Sequence, residues 1–101
     1  MIYGTLHLRL ADGQQQSHNI SQSSILIGRG LANDLLINDP TVAPAHARLT
    51  FQRGEVVVED LGSVNGTFIN EVRLEAKTPY VLNRAEMIRF GAVDAILAPA
   101  N

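Results

Sequence analysis

The sequence has no cysteine and no tryptophan among its 101 residues, and a single lysine accompanies seven arginines. A chain without cysteine can form neither a disulfide framework nor a thiolate metal site. Its three histidines, His7, His18 and His46, are too scattered to show the spacing of metal ligands. We therefore expect the protein to hold no metal and no other cofactor.

Long apolar runs and basic clusters are missing as well. No segment approaches the roughly 18 apolar residues of a membrane-spanning helix, and the N-terminus lacks a basic stretch followed by an apolar one. The net charge is -2 and the arginines are spread along the chain, so there is no basic stripe of the kind that binds nucleic acids. These absences predict a soluble, cytoplasmic protein that binds neither membranes nor nucleic acid.

The residues that are present predict a single all-β domain over 1–101. Hydrophobic residues make up 46% and charged residues 18%, as in ordinary globular domains. Short apolar runs recur about every ten residues between glycine, asparagine, aspartate and proline, which is typical of a β-sandwich. "TLHLRL" alternates apolar and polar side chains, and tight turns are expected at 53–54 and 70–71. We predict ten or eleven mostly antiparallel strands.

Three polar loops, 29–34, 38–45 and 61–66, interrupt this pattern. Loops on a rigid β-sandwich commonly carry binding residues, because the sheets fix their positions. If the sandwich places all three loops at one end, Arg29 and Asn65 face a shared surface. The pattern therefore favours a binding module.

The blocks "IGRGLANDLLINDPTVAPAHARL", "VVVEDLGSVNGTFIN" and "MIRFG", over about 24–91, resemble the forkhead-associated (FHA) family at these spacings. The resemblance implies an FHA-like (SMAD/FHA-type) β-sandwich of eleven strands that binds phosphothreonine peptides and is not an enzyme. It places on the family pattern Gly28, Arg29, Asn33, Asp34, His46, Asp60 to Ser63 and Asn65 to Thr67.

By the same resemblance, Arg29 binds the phosphate, Asn65 holds the peptide main chain, and Asn33 is a candidate to replace missing phosphate donors. Five further matched positions are expected to support the site, with His46 as a buried brace between loops; they are Gly28, His46, Ser63, Gly66 and Thr67.

Three positions depart from the family pattern. The phosphate-binding serine falls on Ala43, the following main-chain N–H falls on Pro44, and a frequent hydroxyl falls on Val64. Alanine and valine side chains have no donor, and proline has no N–H. Losing two hydrogen bonds to a charged group costs on the order of 3 kcal/mol, about a hundredfold in affinity. We expect phosphothreonine binding to be weakened or lost.

Two alternatives stay open at this point. The first is a genuine phosphothreonine reader that uses Arg29, Asn65 and compensating donors. The second is a hydrolase built from His46, Asp60 and Ser63, although Ser63 is not in a nucleophile-elbow sequence and no oxyanion hole is evident. Whether the domain binds phosphothreonine or recognises its partner without phosphate, the expected partner is a protein or a peptide.

Overall fold

The computed structural model describes residues 2–83 and 85–99, and within them it contains eleven strands, in agreement with the sequence-based prediction. The strands are β1 (Gly4–Arg9), β2 (Gln15–Ile20), β3 (Ser24–Gly28), β4 (Leu35–Leu36), β5 (Ala47–Gln52), β6 (Glu55–Asp60), β7 (Thr67–Ile69), β8 (Val72–Arg73), β9 (Tyr80–Leu82), β10 (Ile88–Phe90) and β11 (Val93–Pro99).

The strands form two sheets that pack as a sandwich. One sheet has six strands in the order β2-β1-β11-β10-β7-β8, and the other has five in the order β4-β3-β5-β6-β9. The short β4 runs parallel to β3, while the other pairs of neighbouring strands are antiparallel. The fold is therefore the mostly antiparallel β-sandwich that the sequence predicts.

The core lies between the sheets and consists of alternate residues from each strand, because successive side chains of a strand point to opposite faces. In β1, Leu6 and Leu8 are buried whereas His7 and Arg9 are exposed. Burying a large aliphatic or aromatic side chain contributes about 1.5–3 kcal/mol. The fully buried apolar side chains that fill the centre include Leu6, Ile27, Ile37, Leu49, Val58, Ile88, Phe90 and Val93.

Two tight turns show the left-handed backbone that two-residue hairpins require. Arg53 and Gly54 have φ angles of 52° and 76°, and they join β5 to β6. Asn70 and Glu71 have φ angles of 47° and 72°, and they join β7 to β8. Both turns lie where the sequence predicts them.

The register of the five-stranded sheet decides where the loops emerge. Ile27 near the end of β3 pairs with Ala47 at the start of β5, and Ala47 in turn pairs with Asp60 at the end of β6. The loops that follow β3, precede β5 and follow β6 therefore leave the sheet at the same end. No helix among the described residues is long and apolar enough to cross a membrane.

Candidate functional site

Backbone hydrogen bonds tie loop 29–34 to loop 38–45. The N–H of Arg29 donates to the carbonyl of Ala43 over 2.9 Å, and the N–H of Gly30 donates to the carbonyl of Pro44 over 3.1 Å. The Arg29 backbone is thus fixed, while its exposed side chain is left to solvent.

Asn33 and Gly28 complete the junction between these two loops. The Asn33 amide nitrogen donates to the carbonyls of Gly30 and Pro44 over 2.7 and 2.6 Å. A Cβ atom at Gly28 would come within 2.7 Å of that nitrogen and closer still to the Pro44 oxygen. Both N–H bonds of the Asn33 amide are therefore engaged within the protein, so this geometry favours a bracing role over the predicted role as a phosphate donor.

His46 joins loop 38–45 to loop 61–66 and is completely buried. Its Nδ1 accepts from the N–H of Ala43 over 3.0 Å, and its Nε2 lies 2.9 Å from the carbonyl oxygen of Gly66. Since a backbone N–H can only donate, this pattern requires a neutral imidazole protonated on Nε2. Burial lowers the pKa of His46 below 6.5, although the Gly66 carbonyl and the Asp60 carboxylate act in the opposite direction.

Asp60 organises loop 61–66 from inside the sandwich. One carboxylate oxygen accepts from the hydroxyls of Ser63 and Thr67 over 2.5 and 2.7 Å, and the other accepts from the N–H groups of Gly62 and Ser63. Ser63 Oγ in turn accepts from the N–H of Gly66 over 3.0 Å. Burial by itself raises the pKa of Asp60, but the hydrogen bonds from Ser63 and Thr67 and from the two amides outweigh it and hold the pKa below 3.8.

Asn65 reaches from loop 61–66 back to loop 38–45, where its amide nitrogen donates to the carbonyl of Thr41 over 2.9 Å. Thr41 is held by buried Asp39, whose carboxylate accepts from both the N–H and the hydroxyl of Thr41. The Thr41 hydroxyl oxygen also accepts from the N–H of Ala92 over 2.9 Å, which anchors loop 38–45 to the turn between β10 and β11. The three loops thus form one continuous hydrogen-bonded surface.

Two guanidinium groups belong to this end of the molecule. The Arg29 side chain makes no hydrogen bond or ion pair with any residue in 2–83 or 85–99. Arg73 extends from β8 onto loop 61–66, where its Nη2 donates to the carbonyl of Val64 over 3.1 Å and lies 3.4 Å from that of Ser63. The surface therefore offers positive charge on loop 29–34 and beside loop 61–66.

The three positions that depart from the family pattern add few polar groups to this surface. Val64 is 85% exposed, Ala43 is partly exposed, and Pro44 is exposed. Leu31 in the neighbouring loop is 92% exposed. The N–H of Ala43 is already donated to His46. The surface formed by the three loops therefore exposes several aliphatic side chains, among them those of Leu31, Pro44 and Val64.

The arrangement does not fit a hydrolase. The Ser63 hydroxyl donates to Asp60, and the two ring nitrogens of His46 contact the Ala43 N–H and the Gly66 carbonyl. Ser63 has no hydrogen bond to His46 that would activate it as a nucleophile. The hydrolase alternative is therefore wrong.

The FHA domain model matches residues 25–91, which is most of the chain. The chain belongs to the FHA family. A solved FHA domain from a study of phosphothreonine-dependent FHA domain interactions superimposes with a TM-score of 0.78 at 25% identity, covering 96% of this chain and 98% of the other. An FHA domain of Arabidopsis thaliana superimposes with a TM-score of 0.81 at 25% identity, over the whole of this chain and 90% of that one.

Among curated proteins, an FHA domain-containing protein of Arabidopsis thaliana is 30% identical over 96% of this chain and 26% of its own length. The oxoglutarate dehydrogenase inhibitor of Corynebacterium efficiens is 33% identical over 71% of this chain and 49% of its own length. This FHA chain thus spans about a quarter to a half of these relatives. Similarity to an inhibitor and to FHA-domain proteins, within a family of interaction modules, agrees with the predicted non-enzymatic role.

Sequence reasoning missed three residues that shape the surface: Asp39, Thr41 and Arg73. Asp39 and Thr41 carry a recognisable pattern, since an aspartate commonly accepts from the backbone N–H two residues later. Arg73 carries none, because its contact with loop 61–66 depends on how β8 packs beside β7.

Proposed function

We propose that this FHA domain is a protein–protein recognition module in which phosphothreonine-peptide binding is weakened or lost. The observation that supports the proposal is the composition of loop 38–45 and Val64, where the hydroxyl-bearing and N–H-bearing positions of the family are occupied by Ala43, Pro44 and Val64.

The local hydrogen bonding supports the same reading. The N–H groups of Arg29, Gly30 and Ala43 are all donated within the protein. A phosphothreonine carries about -1.5 to -2 charges and three acceptor oxygens, which need several donors at once. Arg29 supplies one guanidinium, and Asn65 has one amide proton left beside the one given to Thr41. The donor set is small for a phosphate dianion.

A genuine phosphothreonine reader is the second candidate. The exposed guanidinium of Arg29 favours it, because arginine binds phosphate bidentately. Two similar structures also point to phosphopeptide or protein partners. One comes from the study of phosphothreonine-dependent FHA domain interactions. The other is the FhaA FHA domain, 26% identical to this chain, in complex with the intracellular domain of Rv3910. In this reading Arg29 and Asn65 hold the ligand with compensating donors from the loops.

Calorimetric titration separates the two candidates. The domain is titrated with a degenerate peptide pool that carries a central phosphothreonine, and separately with the same pool unphosphorylated. We expect the phosphorylated pool to bind no more than about threefold more tightly than the unphosphorylated pool, because one exposed charge interaction contributes about that much to affinity. A preference above tenfold would establish the second candidate.

The same proposal includes a cytoplasmic location and a protein or peptide partner. It rests on the cysteine-free, weakly acidic composition and on the similarity to regulatory FHA proteins. Fractionation of cells expressing the protein at its natural level tests the location.

A further inference from the structure

On the recognition surface formed by loops 29–34, 38–45 and 61–66, the Arg29 guanidinium engages no residue within 2–83 and 85–99, and the same loops carry exposed aliphatic side chains. Two carboxylates that lie in or next to these loops in sequence, Asp39 and Asp60, are buried and already accept several hydrogen bonds each. Asp34, the nearest acidic residue in sequence, accepts from the N–H of Leu26. Within 2–83 and 85–99 none of these carboxylates forms an ion pair with Arg29.

The hydrogen-bond donors of this surface match a carboxylate better than a phosphate. A carboxylate carries one negative charge and two coplanar oxygens, which a single guanidinium can satisfy bidentately. A phosphate ester presents three acceptor oxygens, which need more donors than the Arg29 guanidinium and the remaining amide proton of Asn65 provide. Arg73 adds a second positive charge nearby, but its Nη2 is directed at the carbonyls of Val64 and Ser63.

The aliphatic part of the surface defines the rest of the ligand. Leu31 and Val64 are 92% and 85% exposed, and Pro44 and Ala45 are exposed between them in the chain. Aliphatic side chains exposed in loops that are hydrogen-bonded to one another offer apolar area that the flanking residues of a ligand can bury. A ligand that fits both parts has an acidic side chain flanked by apolar residues.

On this basis, which rests on the proposed function, we infer that the site binds an unphosphorylated acidic segment of a partner protein. The carboxylate of an aspartate or glutamate pairs with Arg29, and the neighbouring apolar residues cover Leu31 and Val64. Asn65 can hold the main chain of that segment through its remaining amide proton and its carbonyl oxygen, neither of which hydrogen-bonds within the described residues.

Fluorescence titration with four peptide pools tests this inference. The pools share apolar residues around one fixed central position, which is glutamate, leucine, threonine or phosphothreonine. We expect the glutamate pool to bind about threefold more tightly than the leucine and threonine pools, as one exposed ion pair predicts. The phosphothreonine pool should bind no better than the glutamate pool.

Two variants show whether Arg29 is responsible. Arg29→Met should abolish the advantage of the glutamate pool, and raising the salt concentration should reduce that advantage in the unmodified protein. Arg53→Met is the matched control, because Arg53 is an exposed loop arginine in the turn after β5, at the other end of that strand. It should leave the preference unchanged.

The outcomes separate this inference from the proposed function. A glutamate pool that binds no more tightly than the leucine pool overturns the carboxylate inference, while weak phosphothreonine binding still stands. A phosphothreonine pool that binds more than tenfold more tightly than the glutamate pool overturns both. Loss of the glutamate advantage in Arg53→Met as well as in Arg29→Met also overturns the inference.

Discussion

A single buried side chain, His46, connects two loops of the surface and one strand of the opposite sheet. It contacts the Ala43 N–H and the Gly66 carbonyl, and its ring lies 5.8 Å from that of Phe90 in an edge-to-face arrangement. Edge-to-face pairs of rings add about 0.5–1.5 kcal/mol beyond the area they bury. The imidazole thus helps to fix the spacing of the loops without contacting solvent.

His46→Ala should lower the free energy of unfolding by about 2–3 kcal/mol, because it leaves the Ala43 N–H without its acceptor and opens a cavity beside Phe90. Urea denaturation followed by circular dichroism measures the change. His7→Ala is the control: His7 is exposed, its ring forms an exposed hydrogen bond with Ser17, and its loss should change stability by less than about 0.5 kcal/mol. Equal midpoints for His46→Ala and the unmodified protein would contradict the bracing role.

The bracing role of His46 was predicted through the resemblance to the FHA family, which places a structural histidine at this position. The sequence did not indicate the same for Asn33, since a loop asparagine is equally compatible with a ligand contact and with a backbone contact. The difference depends on the approach of Gly30 and Pro44 to its amide, and that approach is set by how the loops pack. Individual loop partners of this kind are therefore not predictable from local sequence.

The junction between loops 29–34 and 38–45 depends on two glycines, which can be compared directly. A Cβ atom at Gly28 would contact Asn33 Nδ2 at 2.7 Å, and the Pro44 oxygen is nearer still. At Gly30 the nearest atom, the same Pro44 oxygen, would lie at 3.0 Å. Both contacts are with fixed groups of the loop junction, but the first is much tighter.

Gly28→Ala should therefore destabilise the protein by about 1–3 kcal/mol, and Gly30→Ala should have a smaller effect. In Gly28→Ala, amide hydrogen exchange should be faster at the N–H groups of Arg29 and Gly30. The added methyl group would push the carbonyls of Ala43 and Pro44 away from these two N–H groups. The order of the two variants is the decisive comparison. A larger effect at Gly30 would show that the loop junction is not arranged as described.

The departures from the family pattern in loops 38–45 and 61–66 can also be reversed together. Ala43→Ser, Pro44→Arg and Val64→Thr restore two hydroxyls, one main-chain N–H and a second positive charge near Arg29. Val64 and Pro44 are exposed, so larger or polar side chains fit there without disturbing the core. The Pro44 carbonyl should stay bonded to Gly30 and Asn33, which preserves the course of the loop.

We expect the triple variant to bind a phosphothreonine peptide pool at least tenfold more tightly than the unmodified domain, since two restored hydrogen bonds to a charged group contribute on the order of 3 kcal/mol. Calorimetry on both proteins measures the gain, and an unphosphorylated pool should show none. If the unmodified domain already binds as tightly as the variant, donors elsewhere compensate for Ala43, Pro44 and Val64.

Strands and turns were predictable because their patterns are local, and the assembly of the strands into sheets was not. Alternating apolar and polar residues in the sequence predicted β1, and turn signals at 53–54 and 70–71 predicted the β5–β6 and β7–β8 hairpins, as the structure has them. In contrast, β9 and β10 are consecutive in sequence yet belong to different sheets, and β4 pairs in parallel with β3. These pairings depend on contacts between distant segments, which no short sequence window contains.

Across the whole molecule, polar groups link the two sheets at the end that carries the loops. Thr67 of the six-stranded sheet donates to Asp60 of the five-stranded sheet, and both side chains are buried. Asp39 is buried as well, and its hydrogen bonds from the Thr41 hydroxyl and from the N–H groups of Ala11 and Thr41 outweigh the effect of burial and lower its pKa below 3.8. Stability should therefore depend on pH through the groups that order the recognition surface.

The pH dependence of stability that His46 contributes has the opposite sign to that of a histidine whose pKa is raised by an anionic partner. Burial lowers the pKa of folded His46 below 6.5, whereas the unfolded chain takes up a proton near that value. As pH falls below 6.5 the unfolded state therefore binds more protons, and the free energy of unfolding decreases until the folded His46 is itself protonated. Asp39 and Asp60 follow the same direction at lower pH, since their stabilisation is lost as pH falls below 3.8 through their lowered pKa values.

Urea denaturation between pH 7.5 and pH 5.5, about one unit on either side of the histidine pKa, isolates the His46 contribution from that of the two carboxylates. We expect the unfolding free energy to fall by up to about 1.4 kcal/mol over this range, because the unfolded histidine binds on average about half a proton across these two pH units and each proton contributes about 1.4 kcal/mol per pH unit. In His46→Gln this component should vanish, leaving the slope due to all other groups. The same slope in both proteins would show that His46 is not the buried neutral imidazole on which the arrangement of the loops depends.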